Sequence, residues 1–429
     1  MNRLRREGAR AIGAGRLSLV RIWLWVLLAL SLCLGVSANA QQAEPGSELQ
    51  VYLMTMGQGD LVWERFGHNA LGIRDASTGT DIVYNWGTFS FEQEGFLPRF
   101  LRGEMLYWMA PYDAVQTLMA YEQMNRSVTV QELHLTPTQR LEIKRFVEWN
   151  QRDENKFYRY DYYLDNCSTR VRDVIDRATG GAVRRVAESQ MTTMTFRDHS
   201  LRLMDGMFWS RTGIDLGLGH PTDRPITSWE AMFIPMEVQR RLRDITIKDG
   251  SGADVPLVSS EKVLFTSSRP PERMEASSQV GVFLLAGLAF AAVSVALGYK
   301  LRGRIFSTGL VSLWSLVAGV VGLLLLLLWT VTQHSAAHAN QNLFFVNPLW
   351  LGVALLAPLA PLARRSRDAL LLMVRICVGL TVVGAVVALT PWGQPSGAIA
   401  AFAIPVNIGA YLLVLRVVYL AQQKAAPSA

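Results

Sequence analysis

Cysteine is scarce in this sequence, which has three in 429 residues. Cys33 lies in the N-terminal leader and Cys377 lies inside a long hydrophobic run, so Cys167 is the only cysteine between them. A single thiol cannot close a disulfide within its own domain, which excludes a disulfide-stapled scaffold. Thiols of exported proteins commonly end as disulfides, so a lone cysteine raises the question of what its thiol does.

Charged residues are also few, at 18% of the sequence against 50% hydrophobic residues. Residues 41–278 have the mixture of a soluble domain, whereas residues from 279 onward are mostly uninterrupted apolar runs. The net charge of +7 does not indicate nucleic-acid binding, because much of it sits in the leader and at the ends of apolar runs, where cations set topology. The composition therefore indicates a soluble domain joined to a membrane domain.

The first 40 residues have the features of a secretory signal peptide. Three arginines among the first six residues are followed by an apolar core at residues 22–36. Small residues then occupy the −3 and −1 positions of a cleavage site that ends at Ala40. We predict cleavage after Ala40, with an uncleaved membrane anchor as the alternative.

Five apolar stretches are long enough to cross a bilayer of about 30 Å. They are residues 280–299, 305–331, 343–363, 369–390 and 397–420. Lysine and arginine occur in the first and third connectors but not in the second and fourth, residues 332–342 and 391–396. Because positive loops stay in the cytoplasm, we predict five transmembrane helices within residues 279–421 and a soluble domain on the outside.

Residues 41–278 carry both strand and helix signals. Alternating apolar residues predict strands at residues 49–55, 69–74 and 81–86. Helical spacing predicts helices at residues 112–124 and 137–150, the second with Thr136 as N-cap and a proline at its first position. The soluble domain is therefore predicted to be α+β.

The signals are weaker in residues 190–278. Large apolar side chains recur there, at Trp209, Trp229 and residues 232–234. We expect them in a hydrophobic core rather than on a membrane-facing surface.

A dense run of functional side chains surrounds Cys167. Apolar residues recur at helical spacing after it, and Asp165 or Asn166 can cap that helix. The thiol would then lie at the first turn, where free N–H groups and the helix dipole lower the pKa of a thiol. A structural cysteine usually lies in the middle of an apolar face, but Cys167 is followed by Ser168 and Thr169. We therefore expect a reactive thiolate.

A cysteine nucleophile needs a proton acceptor. The soluble domain contains four histidines: His68, His134, His199 and His220. His68 lies at a turn entering a strand, beside a glycine that permits close backbone approach, so its context is the best. The order His-then-Cys is that of circularly permuted relatives of the papain fold.

Several short motifs occur together in the soluble domain: Gly67-His68-Asn69-Ala70-Leu71, Tyr84-Asn85-Trp86-Gly87-Thr88-Phe89, Asn125-Arg126, Tyr158-Arg159-Tyr160-Asp161 and Asp165-Asn166-Cys167-Ser168-Thr169-Arg170. Together they resemble the Lnb N-terminal periplasmic domain, a family whose members often carry a five-helix membrane domain. The resemblance covers residues 48–190 well and the membrane part by architecture. It implies a permuted papain-like (NlpC/P60-like) fold and lipoprotein N-acyltransferase activity.

The resemblance also implies roles for single residues. Cys167 would be the nucleophile and His68 the general base. Asn85 would orient the imidazole, or would serve as a turn residue only. Arg126 and Arg170 would hold a phosphate or pair with structural carboxylates. Asn166 and Tyr160, in the same motifs, complete the expected substrate-binding set.

The implied reaction is acyl transfer through an acyl-cysteine. A membrane phospholipid would be the acyl donor, and the α-amine of a diacylglyceryl lipoprotein cysteine would be the acceptor. No metal or organic cofactor is implied, and the expected location is the inner membrane, with the soluble domain in the periplasm. Oligomeric state stays open.

Two other functions compete with this one. A cysteine peptidase or amidase acting on cell-wall peptides would use the same Cys/His pair, although a soluble wall substrate does not require five membrane helices. A non-catalytic envelope binding module would not need the thiol at all.

Overall fold

The computed structural model describes residues 23–26, 44–300 and 304–425. Most of the signal peptide core, the cleavage position after Ala40 and Cys33 lie outside these ranges, and both predictions about the leader stay predictions. Residues 23–26 are helical, and the described residues from Glu48 onward form the main compact unit.

The soluble domain is built on an antiparallel sheet with the strand order β6-β4-β3-β2-β1-β5-β9. A separate hairpin pairs β7 with β8. The strands are β1 Leu49–Met56, β2 His68–Asp75, β3 Thr80–Thr88, β4 Leu106–Asp113, β5 Val128–Leu133, β6 Phe157–Arg159, β7 Thr246–Lys248, β8 Asp254–Pro256 and β9 Val258–Phe265. The predicted strands at residues 49–55, 69–74 and 81–86 are confirmed as β1 to β3.

Strand β1 is central and is covered on both faces. Because side chains alternate along a strand, Val51 and Leu53 enter one core, while Tyr52 and Met54 enter a second core on the opposite face. Both cores are needed to bury a strand whose residues are nearly all apolar.

Helices cover the two faces. They are α1 Phe96–Arg102, α2 Ala114–Gln123, α3 Pro137–Asn150, α4 Cys167–Ala178, α5 Ala182–Glu188, α6 Phe196–Leu203, α7 Phe208–Gly217, α8 Ser228–Ala231 and α9 Pro235–Leu242. Helix α3 begins as predicted, with the Thr136 side chain accepting a hydrogen bond from the Gln139 N–H. Helix α2 begins two residues later than predicted, because Tyr112 and Asp113 are still paired with β3.

The prediction for residues 190–278 was right at most positions and wrong at one. Trp229, Met232, Phe233 and Ile234 are buried in the domain. Trp209 is 83% exposed instead. It lies at the start of α7, where the ring of the neighbouring Phe208 stacks on Phe283 of the membrane domain at 5.6 Å. The position next to the bundle explains why this tryptophan is not in the core.

Within the described residues, five apolar helical segments long enough to span a membrane follow, as predicted. The helices are α10 Val280–Lys300, α11 Arg304–Thr330, α12 Leu349–Leu359, α13 Arg364–Val387 and α14 Gly397–Ala425. The third span, Ser335–Leu359, combines short 3-10 turns with α12, which contains Pro358. It is the irregular span of the bundle.

The soluble domain is fastened to the two connectors that lack lysine and arginine. The Gly219 N–H donates to the Ala336 carbonyl at 2.7 Å, and the Asn340 side chain donates to the Leu216 carbonyl at 2.8 Å. The Gln394 amide of the other connector donates to the Leu218 carbonyl at 3.1 Å. The domain and these connectors therefore lie at the same end of the bundle, as the charge pattern predicts.

Candidate active site

Cys167, His68 and Asn85 come from three neighbouring elements. Cys167 is the first residue of α4, His68 begins β2, and Asn85 lies near the end of β3. Helix α4 packs on the sheet through Val171 and Ile175, which share a core with residues of β2 and β3. This packing carries the first turn of α4 to the edge where β2 begins.

The start of α4 is held from both sides. The Asn166 side-chain oxygen accepts from the N–H groups of Ser168 and Thr169, both at 2.9 Å. The Ser168 hydroxyl donates to the Asn69 side chain at 2.8 Å, and Asn69 in turn donates to Thr55 at 2.9 Å. Since Asn69 follows His68 directly, these bonds set the cysteine beside the histidine-bearing strand.

Asn85 holds the imidazole of His68. Its side-chain nitrogen donates to the Val83 carbonyl at 3.1 Å, which turns its oxygen toward His68 Nε2 at 3.0 Å. The network thus assigns the proton to Nε2 and leaves Nδ1 with a free lone pair. That tautomer is the one a general base needs if Asn85 acts as its orienting group.

The imidazole is neutral at ordinary pH. Burial lowers the pKa of His68 to about 4, with a further lowering from the nearby Arg126 guanidinium, while the bond from Asn85 acts in the opposite direction. A neutral imidazole is a competent proton acceptor over the whole neutral range.

The expectation of a lowered thiol pKa at Cys167 is wrong. Burial raises the pKa of the Cys167 thiol, and it outweighs the backbone N–H groups of Asn69 and Ser168 and the charge of Arg126, which favour the thiolate. The helix start acts in the predicted direction, but desolvation of a charged sulfur is the larger effect. The resting pair is therefore a thiol beside a neutral imidazole, and the thiol must lose its proton during attack.

We expect slow alkylation of Cys167 as a consequence. In a Cys377→Ala background at pH 7, iodoacetamide should modify Cys167 more slowly than a free reference thiol such as glutathione, and the rate should still rise above pH 9. Mass spectrometry of the peptide that contains Cys167 measures this rate. Unfolding the protein should restore the rate of a free thiol. A rate that levels off below pH 7 would contradict the neutral pair.

Arg126 faces this pair with an unused donor. It is 5% exposed, donates through Nε to the Gly57 carbonyl at 2.9 Å, and lies 3.8 Å from a Glu64 carboxylate oxygen. Its guanidinium stacks over the Tyr121 ring at 4.8 Å. Its second terminal nitrogen, Nη2, has no partner among the residues that the structure describes. Of the two predicted phosphate-binding arginines, Arg126 is the one with a buried donor that has no partner in the described part of the chain, and its phosphate-binding role stays a prediction.

Two family models match this chain. The model of the Lnb N-terminal periplasmic domain matches residues 37–200, and that of the Lnb transmembrane domain matches residues 279–424. The chain belongs to the Lnb family. No match was found among curated proteins, and none among solved structures. It is a multi-pass membrane protein with a periplasmic N-terminal domain.

In this Lnb protein, Arg170 and Asn166 are engaged within the fold. Asp165 accepts from Arg170 Nε at 2.5 Å and from Nη2 at 2.6 Å, while the guanidinium covers the Tyr158 ring at 4.1 Å. The Asn166 amide caps α4 and also donates to the carbonyls of Tyr162 and Phe233. Both ends of the Asn166 amide are used within the fold, and Arg170 takes the second of its two predicted roles, pairing with a structural carboxylate.

The Lnb site is bounded by Gly87 and two tyrosines. Gly87 has φ +92°, and a Cβ added there would lie 3.4 Å from the Cys167 Cβ and 3.9 Å from both the Tyr158 hydroxyl and the Tyr160 ring. The Tyr160 ring stacks on Tyr107 at 4.3 Å. Tyr160 therefore borders the nucleophile, as its predicted binding role requires.

Sequence reasoning did not single out Tyr158. Its hydroxyl is buried and has no partner in the described part of the chain. Burial raises its pKa well above the usual value, so it stays a neutral donor beside Cys167. Its position depends on the pairing of β6 with β4, for which the sequence offers no clear strand pattern.

The other histidines lie in different surroundings. His199 is buried on α6, where its Nδ1 accepts from Arg202 Nε at 3.1 Å. His134 follows β5, and His220 opens a 3-10 turn beside Asp223. In the described part of the chain, no amide side chain is hydrogen-bonded to these three histidines in the way that Asn85 is bonded to His68.

Proposed function

We propose that this Lnb protein is a cysteine-dependent acyltransferase that moves an acyl chain from a phospholipid to the N-terminal amine of a lipoprotein cysteine. The observation that carries the proposal is the His68–Asn85 pair beside Cys167 in a domain fastened to the outer end of a membrane bundle. The family match identifies the domain, and the three side chains support the chemistry.

The first half-reaction forms the acyl-enzyme. As Cys167 Sγ attacks the ester carbonyl, its proton passes to His68 Nδ1 and a sulfur–carbon bond forms. The carbon–oxygen bond of the ester then breaks, and the proton returns from the imidazolium to the departing lysophospholipid oxygen. Backbone N–H groups at the start of α4 are the proposed stabilisers of the oxyanion.

The second half-reaction regenerates the thiol. The lipoprotein α-amine attacks the thioester carbonyl, a carbon–nitrogen bond forms and the carbon–sulfur bond breaks. The amine loses a proton to His68, and His68 then passes this proton to the Cys167 thiolate. A thioester splits one difficult transfer into two easier steps.

A papain-like fold is part of the proposal. Its support is a cysteine at a helix start, packed on an antiparallel sheet whose adjacent strands carry a histidine and an asparagine. The histidine precedes the cysteine in the chain, which is the permuted order. The inner membrane is the proposed location, because both lipid substrates would be found in its outer leaflet.

Mass spectrometry of a model lipoprotein tests the function. With the purified protein in phospholipid vesicles, the N-terminal peptide of a diacylated lipoprotein should gain one acyl chain, and lysophospholipid should accumulate in equal amount. A diacyl peptide in both samples would refute the transfer. Cleavage of muropeptides without lysophospholipid would favour the wall-peptidase alternative.

A further inference from the structure

Large apolar side chains are exposed on one side of the domain, next to the bundle. We call this set the apron, and it consists of Trp63 (55% exposed), Phe91 (65%), Leu97 (63%), Phe100 (38%) and Leu101 (59%). The aromatic members are linked through Phe96, which lies 5.2 Å from Phe91 and 6.0 Å from Phe100, while Trp63 lies 6.3 Å from Phe91. Contiguous exposed apolar surface of this kind marks an interaction site rather than ordinary surface.

The apron lies beside the end of α11, the second apolar helix of the bundle. It is carried largely by α1, whose last carbonyl, at Arg102, accepts from the Gln333 N–H at 2.8 Å. His334 Nε2 lies 3.0 Å from the Phe100 carbonyl oxygen. Gly103 is packed so closely that a Cβ there would be 2.9 Å from the His334 backbone nitrogen. These contacts fix α1 to the connector after α11, starting at its third residue, at the outer end of the bundle.

Stacked rings lead from the apron to the nucleophile. We call Phe96, Phe89, Tyr107 and Tyr160 the aromatic path. Successive ring centroids are 6.2, 4.9 and 4.3 Å apart, with interplanar angles between 19° and 27°. All four rings are partly exposed, and the last one borders Gly87 and Cys167. An apolar surface thus runs without interruption from the membrane end of the domain to the thiol.

We propose that the apron inserts into the outer leaflet and that the aromatic path receives one acyl chain of a phospholipid, which brings its ester carbonyl to Cys167. The occupant is a lipid rather than a protein because the apron continues the outer end of the membrane bundle. Arg99 and Arg102 lie in the last turn of the same helix, where their guanidinium groups would contact lipid phosphates. The proposal rests on the proposed function, to which it adds the route of the donor.

Two positions with equal exposure make a matched test of the apron. Leu97 and Val115 are each 63% exposed, but Val115 follows the end of β4 that pairs with the start of β3, at the edge of the sheet away from Asn85. Leu97→Glu should raise the KM for phospholipid, measured as its mole fraction in detergent micelles, by at least about fivefold. The reason is that moving a leucine side chain from water into apolar surroundings is favoured by more than a factor of about five. The kcat and the Cys167 alkylation rate should not change. Val115→Glu should leave all three unchanged.

Photocrosslinking tests the path without requiring turnover. Vesicles of phosphatidylethanolamine and phosphatidylglycerol would contain a phospholipid with a diazirine near the end of one acyl chain, and the protein would be the Cys167→Ser variant. We expect label on peptides from residues 89–107, reduced by Leu97→Glu and not by Val115→Glu. Label confined to the bundle helices would overturn the proposal, as would an apron that buries itself in a dimer that Leu97→Glu dissociates. Label on the path, together with a wild-type protein that transfers no acyl chain to the lipoprotein, would instead count against the proposed function alone.

Discussion

Cys167→Ser is expected to abolish acyl transfer, with a loss of at least about a thousandfold, as for other enzymes that lose their nucleophile. A serine hydroxyl is far less acidic than a thiol, and an imidazole whose pKa is about 4 is too weak a base to activate it. The bonds that hold the start of α4 come from Asn166 and Ser168, so the fold does not depend on the sulfur. Protein level and thermal unfolding should therefore stay normal.

The readouts are the acyl state of a model lipoprotein and the trapping of an acyl-cysteine by mass spectrometry. Cys377→Ser is the matched control, because Cys377 is buried in the bundle and its sulfur is 3.9 Å from an Asn347 oxygen. It should retain full transfer. Retention of activity by Cys167→Ser would instead support the non-catalytic module.

Local sequence signals were sufficient for the start of the site. Asn166 is a good capping residue and is followed by residues at helical spacing, and the structure has the cap and the helix at the predicted positions. In each of the three predicted strands, the alternation of apolar residues is visible within the segment itself and requires no knowledge of distant contacts. The apolar runs of the bundle and the charges of its connectors are equally local, so topology followed from composition.

The sequence could not decide effects that depend on tertiary packing. Whether the dipole at a helix start lowers a thiol pKa depends on how much water the fold removes, and burial reversed the expected direction at Cys167. Asp165 precedes Arg170 by five residues, but only the fold shows that its carboxylate fills the guanidinium fork. Trp209 looked like a core residue because the sequence does not show which surface meets the bundle.

The apron was missed for a related reason. Residues 95–102 contain four large apolar side chains, and in a soluble domain such side chains are usually buried. The exposure of Leu97 and Leu101 becomes informative only when α1 is seen fixed to the outer connector of the bundle. Contact between separate domains is not encoded in the periodicity of either one.

His68→Ala should cost about as much as loss of the nucleophile, because the two residues act as one unit. In single turnovers without the lipoprotein acceptor, the wild-type rate of lysophospholipid release should be constant through neutral pH and should fall only as the pH drops through about 4, where the imidazole becomes protonated. An acid limb near 6.5 would contradict the buried, neutral histidine.

Substitutions of Asn85 test whether this residue positions His68 or only stabilises the fold. In Asn85→Asp, a carboxylate would face His68 Nε2 at the position where an amide oxygen now lies 3.0 Å away. An adjacent negative charge stabilises imidazolium and raises its pKa, so the acid limb of the rate should move upward from about 4. Asn85→Ala removes the acceptor, frees the ring to rotate, and should lower kcat by about ten- to a hundredfold with little change in KM.

Together, these two variants distinguish a structural role of Asn85 from a role in orienting His68. If Asn85 only stabilised β3, both would lower the melting temperature and the amount of folded protein, and neither would shift the pH profile. If it orients His68, the aspartate variant keeps an acceptor for Nε2 and should retain more kcat than the alanine variant at pH 8, while losing activity sooner in acid. A pH profile measured on equal amounts of folded protein therefore decides whether the third residue of the site belongs to the reaction or to the sheet.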